Sequence, residues 1–203
     1  MQAEIEVKFL GVDHDELRQQ LTAIGAHCEQ PMRLMRRKNY DFPDWRLKQK
    51  NGWARLRDEG NKVTLSYKQL NARTVDGMLE LTVTVDNFEN TDQLLASLGM
   101  ITKNYQETRR ETWRYGDCEI VLDDWPWVRN SVEIEGPDKK SLRAVAKKLG
   151  LNWDEGVYGS AEIVYQAEYE VESDDFNETA IMTFETPVPK HWPRKSQAKK
   201  KLA

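Results

Sequence analysis

Three short stretches set charged residues two apart: Glu4-x-Glu6-x-Lys8, Arg55-x-Arg57 and Glu133-x-Glu135. In an extended chain alternate side chains share a face. Glu4, Glu6 and Lys8 therefore point one way, and Ile5, Val7 and Phe9 the other. Further charges sit on the polar side of other alternating runs: Lys68 after Thr64 and Ser66, Glu80 before Thr82 and Thr84, then Arg110 and Asp123. An arginine on a strand offers a planar fork that grips phosphate oxygens at two points, and a lysine adds a point charge. Several carboxylates in one place are hard oxygen donors suited to Mg²⁺ or Mn²⁺, ions that bridge to substrate phosphates. Neither set tolerates burial alone, because each unpaired ion costs on the order of several kcal/mol. Mixed, they partly neutralise one another. A row of cations beside metal-binding carboxylates points to a linear triphosphate.

The elements that must position these groups come mostly as hairpins. Residues 53–57 form a strand turned at Glu59-Gly60-Asn61 into a return strand over 63–68. Residues 79–85 alternate cleanly, residues 108–115 turn at Gly116-Asp117 into 119–123, and 131–135 follow after Trp125-Pro126-Trp127. Residues 33–41 read as an extended segment carrying the basic cluster Arg36-Arg37-Lys38. Asp13, with Glu16 in a capping-box pattern, opens a helix that Gly25 ends; Thr91 or Asp92 opens a second, stopped at Gly99; Asp138 opens a third, ended by Gly150. A fourth amphipathic stretch, 161–169, is expected to pack outside. The first strand–Gly–capped helix–Gly unit is echoed from residue 133 onward. With at least six strands carrying one charged face each, the pattern predicts an α+β fold: an antiparallel barrel with its polar faces inward. A sandwich would disperse these charges in water.

Composition narrows the function. No apolar run approaches the roughly 20 residues of a membrane span, and the N-terminus has no signal-like apolar region, so a cytoplasmic protein is expected. Cys28 and Cys118 have no metal-ligand spacing and are expected reduced. Beyond residue 185 there are six Lys/Arg and no Asp/Glu, which leaves residues 1–185 at −10 against −4 for the chain. So acidic a body argues against general nucleic-acid binding; only the basic tail from Lys190 to Lys201 suits RNA or a partner. No Gly-rich phosphate loop is present, and His14, His27 and His191 show no zinc-like pairing.

The ordered set carries a resemblance. Glu4-x-Glu6-x-Lys8 is similar to the E-x-E-x-K signature of the CYTH superfamily, the triphosphate tunnel metalloenzymes. The likeness continues through Asn39-Tyr40-Asp41, Arg55-Leu56-Arg57, Lys68, Glu80, Arg110, Asp123 and Glu133-x-Glu135. It covers about residues 1–170, with 171–203 left as an acidic linker and basic tail of expected weak order. The resemblance implies an eight-stranded tunnel barrel with helices outside. Glu4, Glu6, Glu133 and Glu135 would ligate metal with Asp123 nearby, and Glu80 would lie on the tunnel floor. Lys8, Arg55, Arg57, Lys68 and Arg110 would hold phosphate oxygens.

Three positions depart from the family pattern. Thr108-Arg109-Arg110 stands where relatives have Lys-x-Arg, so Arg109 substitutes for the lysine only if a bulge turns it inward. Thr82 replaces a second carboxylate after Glu80, and Val128-Arg129 replaces Leu-Gly.

The leading expectation is a divalent-metal-dependent triphosphatase acting on inorganic, nucleoside or thiamine triphosphate, with Glu4, Glu6, Lys8 and Glu80 in the catalytic set. A class IV adenylate cyclase is the alternative within enzymes. A non-catalytic polyphosphate or RNA 5′-end binding module is the alternative outside them. The partner is a small-molecule triphosphate, and the protein is expected as monomer or homodimer.

Overall fold

In the computed structural model, which describes residues 1–196, the strands are wound into a nearly closed antiparallel barrel with five helices on its outside. In chain order they are β1 (Gln2–Glu4), β2 (Glu6–Leu10), α1 (His14–Ala23), β3 (His27–Asp41), β4 (Gly52–Asp58), β5 (Val63–Leu70) and β6 (Met78–Val85). There follow α2 (Phe88–Ser97), β7 (Ile101–Tyr115), β8 (Cys118–Asp124), β9 (Ser131–Glu135), α3 (Lys139–Lys148), α4 (Glu162–Glu168), α5 (Ser173–Glu178) and β10 (Ile181–Met182).

The sheet runs β1-β6-β5-β4-β3-β7-β8-β9-β2. Its two ends are successive pieces of one N-terminal strand, interrupted at Ile5. β1 pairs with β6, Glu4 opposite Met78, while β2 pairs with β9, Glu6 opposite Glu135 and Lys8 opposite Glu133. Counting β1 and β2 as one bent strand leaves the eight barrel strands expected. The seam stays open only where β6 outruns its short partner, and there Leu81 and Val83 are exposed.

The barrel is the reverse of an oil drop, because its apolar side faces out. Val7 and Phe9 of β2, Ile120 and Leu122 of β8, and Val132 and Ile134 of β9 pack against Leu17 and Leu21 of α1 and Leu142, Val145 and Leu149 of α3. Burying such side chains contributes roughly 1.5–3 kcal/mol each. Asp13 caps α1 by accepting from the amides of Asp15 and Glu16 at 2.8 and 3.1 Å, and Asp138 caps α3 from Ser141 at 2.8 Å. Both helices end at a glycine in the left-handed region, Gly25 and Gly150. His14 is buried with Nε2 3.0 Å from the Ser131 carbonyl oxygen, a structural contact between α1 and β9. Helix α2 starts a turn earlier than Thr91. Asn87 caps it through the Asn90 amide at 2.7 Å, which lets Phe88 pack with Tyr40 and Leu56.

The C-terminal region corrects two expectations. Residues 173–178, read as an acidic linker, are helix α5. Beyond it, β10 lies parallel to β7 at Tyr105 and Gln106, where β8 no longer covers that edge. Phe176, Met182 and Trp192 are buried with Trp125, Val164, Tyr165, Tyr169 and Val171 in one aromatic cluster. Trp127, at φ +70°, donates from Nε1 to the Thr186 carbonyl at 2.6 Å, and its own carbonyl accepts from the Tyr169 hydroxyl at 2.7 Å. Glu168 clamps the arrangement, accepting from Arg129 at 2.8 Å and Arg194 at 2.5 Å. Apolar burial thus orders a segment whose charges alone suggest solvent. The lysines at 199–201 lie outside the described residues.

Candidate functional site

Alternation on a closed sheet sends every second side chain inward, and here the inward set is ionic. Glu4, Glu6, Lys8, Arg55, Arg57, Lys68, Glu80, Arg110, Asp123, Glu133 and Glu135 all line one cavity of about 670 Å³ along the barrel axis. They come from seven of the eight barrel strands, with β1 and β2 counted as one, which accounts for their scatter through the sequence.

The acidic side is built by β1, β2, β6 and β9. Lys8 Nζ sits between Glu6 Oε1 at 2.7 Å and Glu133 Oε2 at 2.8 Å. Lys68 Nζ lies 2.7 Å from Glu4 Oε2 and 3.4 Å from Glu80 Oε2, and Arg55 reaches Glu80 at 2.9 Å. Two lysines do not balance so many carboxylates. Burial, then the Glu80 carboxylate it hydrogen-bonds, lifts the Glu4 carboxyl to about 8 in spite of Lys68. Burial and repulsion from Glu133, Glu6 and Glu119 lift Glu135 to about 7. Glu6 is raised by burial and by Glu133. For Glu133 burial pulls upward too, but Lys8 and Arg110 hold it well below the usual carboxylate range. For Glu80, Glu4, Arg55 and Lys68 likewise overcome burial and hold the carboxyl low.

The basic side is built by β3, β4, β7 and β8. Arg110 makes a two-point pair with Asp123, Nε to Oδ1 at 2.7 Å and Nη2 to Oδ2 at 2.6 Å. Burial opposes its charge, yet Asp123 pushes its pKa well up. Arg57 is gripped by Glu59, whose Oε1 accepts from Nη2 at 2.6 Å; burial and the neighbouring Arg55 and Arg110 still lower Arg57 to about 10.

Two residues on this side escape a reading of the sequence. Glu59, placed there in a hairpin turn, is buried and orients Arg57. Arg37, inside the basic cluster of β3, is 5% exposed and faces the cavity, donating to Thr108 Oγ1 at 2.5 Å. Strand alternation was the available signal. Arg36 and Lys38 turn outward to Asp58, Glu89 and Asp92, while Arg37 turns inward beside Asn39.

Arg109 is the one predicted site residue left outside. No bulge turns it inward. It pairs with Asp124 at 3.3 Å on the outer face, with its guanidinium 4.0 Å over Phe184. The cation expected near residue 108 is supplied instead by Arg37 from the neighbouring strand. Stretch 161–169 also differs from expectation: α4 packs outside the sheet, but Ala161, Glu162 and Val164 border the cavity, as do Ser173, Asp174 and Phe176 of α5. Lys48–Asp174 at 2.6 Å and Arg73–Glu162 at 3.3 Å tie these helices to the barrel rim.

The carboxylates suit a divalent cation by charge and by type. Glu4, Glu6, Glu133 and Glu135 supply hard oxygen donors whose repulsion is incompletely cancelled. They are not gathered in advance: among the described residues no three acidic, imidazole or thiol groups close on a single point. No helix of the described residues is long and apolar enough to cross a membrane.

A barrel with an apolar outside under helices and an ionic, ligand-sized interior defines a tunnel protein. The CYTH domain family model matches residues 2–186, and the chain belongs to that family. Solved structures share the fold at low identity. A candidate adenylate cyclase from Vibrio parahaemolyticus matches with TM-score 0.70 and 17% identity over 81% of this chain and 98% of that one. A Pyrococcus horikoshii protein gives 0.67 and 20% over 79% and 98%. A Hippeastrum protein assigned as an adenylyl cyclase and described as having a dominant triphosphatase activity gives 0.56 and 15% over 82% and 96%. No curated protein sequence matches the chain significantly.

Proposed function

We propose that the chain is a divalent-metal-dependent triphosphatase, which binds a linear triphosphate in the tunnel and hydrolyses a terminal phosphoric anhydride. One observation carries the reading: a cavity of about 670 Å³ with surplus guanidinium charge on one side and surplus carboxylate on the other. A polyphosphate with a divalent cation cancels both surpluses at once. Arg55, Arg57, Arg110 and Lys68 bind and orient the phosphate oxygens, and Glu59 and Asp123 hold two of these arginines in line. Such fixed donors act where charge spreads over the transferring group. Glu4, Glu6, Glu133 and Glu135 would hold Mg²⁺ or Mn²⁺, with Asp123 nearby. When bound, the ion supplies charge neutralisation and acidifies water. Glu135 is free of an ion pair among the described residues, so its carboxylate is available to the cation without breaking a salt bridge.

The Hippeastrum neighbour favours hydrolysis, and the Vibrio neighbour favours cyclisation of ATP, in which the ribose 3′-hydroxyl attacks and pyrophosphate leaves. One panel separates the two. Inorganic triphosphate, ATP and thiamine triphosphate are incubated with Mg²⁺ and with Mn²⁺, and orthophosphate, pyrophosphate and cyclic AMP are all followed. Orthophosphate from at least one substrate supports the proposal. Cyclic AMP with pyrophosphate replaces it by the cyclase. Tight binding with no product under either ion replaces both by a binding module.

A further inference from the structure

Of the cations lining the cavity, two have no carboxylate within ion-pair distance among the described residues: half-buried Lys103, whose Nζ lies 5.6 Å from the Trp45 ring centroid, and the buried Arg37. Lys8 has Glu6 and Glu133, Lys68 has Glu4, Arg55 has Glu80, Arg57 has Glu59 and Arg110 has Asp123. Arg37 has none. Its guanidinium donates once, to the Thr108 hydroxyl, and its Nε is buried without a partner. Its register partner across the β3–β4 ladder is Arg57, so the buried guanidinium of Arg37 and the half-buried one of Arg57 stand side by side on one wall. Like charges directly opposed destabilise a sheet, and more so where burial limits screening. A guanidinium does not escape by giving up its proton, so the cost falls on the fold. The Trp125 ring covers Arg37, centroid 4.5 Å from Cζ, and Trp125 belongs to the C-terminal aromatic cluster. That offsets only part of the cost.

We propose that Arg37 is a dedicated anion anchor of the tunnel, which together with Arg57 and Arg110 takes the unsubstituted terminal phosphoryl group of the bound chain. The proposal rests on the triphosphate reading above and sharpens it. Terminal phosphoryl groups carry the greatest charge of such a chain, and three guanidinium groups converge here. The aromatic wall of Trp125 closes the space behind Arg37 to an ester substituent, which places any organic group at the other end of the chain.

The test is the variant Arg37→Gln, with Arg37→Met as an apolar second variant, by thermal melting of the ligand-free protein and by calorimetric titration of tripolyphosphate. The proposal expects both variants to melt about 3 °C higher than the parent without ligand, and to bind tripolyphosphate at least about tenfold more weakly. Unchanged tripolyphosphate affinity, or a lower ligand-free melting point in both variants, makes Arg37 a structural residue and overturns the proposal. Failure of the triphosphate reading shows differently. The parent would then ignore tripolyphosphate and ATP yet gain stability from sulfate or orthophosphate, a gain lost in both variants. A parent stabilised by no oxyanion overturns both.

Discussion

The two sides of the tunnel solve the same burial problem in opposite ways. The basic side holds its cations rigidly. Arg110 is locked bidentately to Asp123, Arg57 is clamped by Glu59, and buried Arg37 is left without a carboxylate. The acidic side adapts its charge, keeping Glu4 and Glu135 able to take up protons around neutrality and leaving Lys8 shared between two carboxylates. Arginine cannot discharge and carboxylate can. A fixed positive template therefore faces a negative surface whose charge is set by pH and by whatever cation arrives. Under the proposed function, phosphate-chain recognition falls to the first side and cation control to the second.

The largest expected effect comes from removing charge on the acidic side. Glu4→Gln and Glu135→Gln should each reduce metal-dependent turnover by about 100-fold or more while circular dichroism remains unchanged. Full activity in both variants would break the assignment of that wall to the metal. On the basic side, Arg57→Ala should weaken tripolyphosphate binding by roughly 100-fold in titration calorimetry and leave orthophosphate nearly unaffected. Equal losses for both ligands would mean that Arg57 is not reading a chain.

The difference between the walls also has a pH signature. Folded Glu4 and Glu135 hold protons, up to about 8 and about 7, that unfolded carboxyls lose near 4.5. The folded state therefore binds more protons in this window, and cation-free stability should fall by several kcal/mol, up to about 6, as pH rises from 5 to 8. Mg²⁺ affinity should strengthen over the same range, because the ion no longer displaces protons. Denaturant melts and metal titrations at several pH values measure both, and a flat profile would place the protons elsewhere. The smallest effect belongs to Arg109→Ala. On the outer face it should change turnover less than about twofold, and a larger loss would show that the inner–outer division has been drawn wrongly.

Much of this was legible because a barrel with an ionic interior inverts the usual correlation. Glu6, Lys8, Arg55, Lys68 and Glu133 announce themselves as charges placed among apolar residues at a period of two. What escaped were residues whose roles depend on pairing across strands. Arg37 is hidden between two basic neighbours that face away from it, and only alternation along β3, fixed by its register against β4 and β7, singles it out. Glu59 looks like turn polarity until the hairpin folds it back over Arg57. In the C-terminal segment the acidic letters outnumber Phe176, yet that one ring, held 5.0 Å from Tyr165, decides the outcome. Composition counts residues, whereas burial weighs them.

The bent N-terminal strand has a consequence in time. Because β2 completes its ladder only with β9, the ionic set of Glu6, Lys8, Glu133 and Glu135 draws on both ends of the barrel sequence. During synthesis Glu6 and Lys8 must wait for β9, more than a hundred residues later, before they share an enclosure. Such long-range closure slows folding, and it means that no half-made barrel carries the assembled carboxylate set.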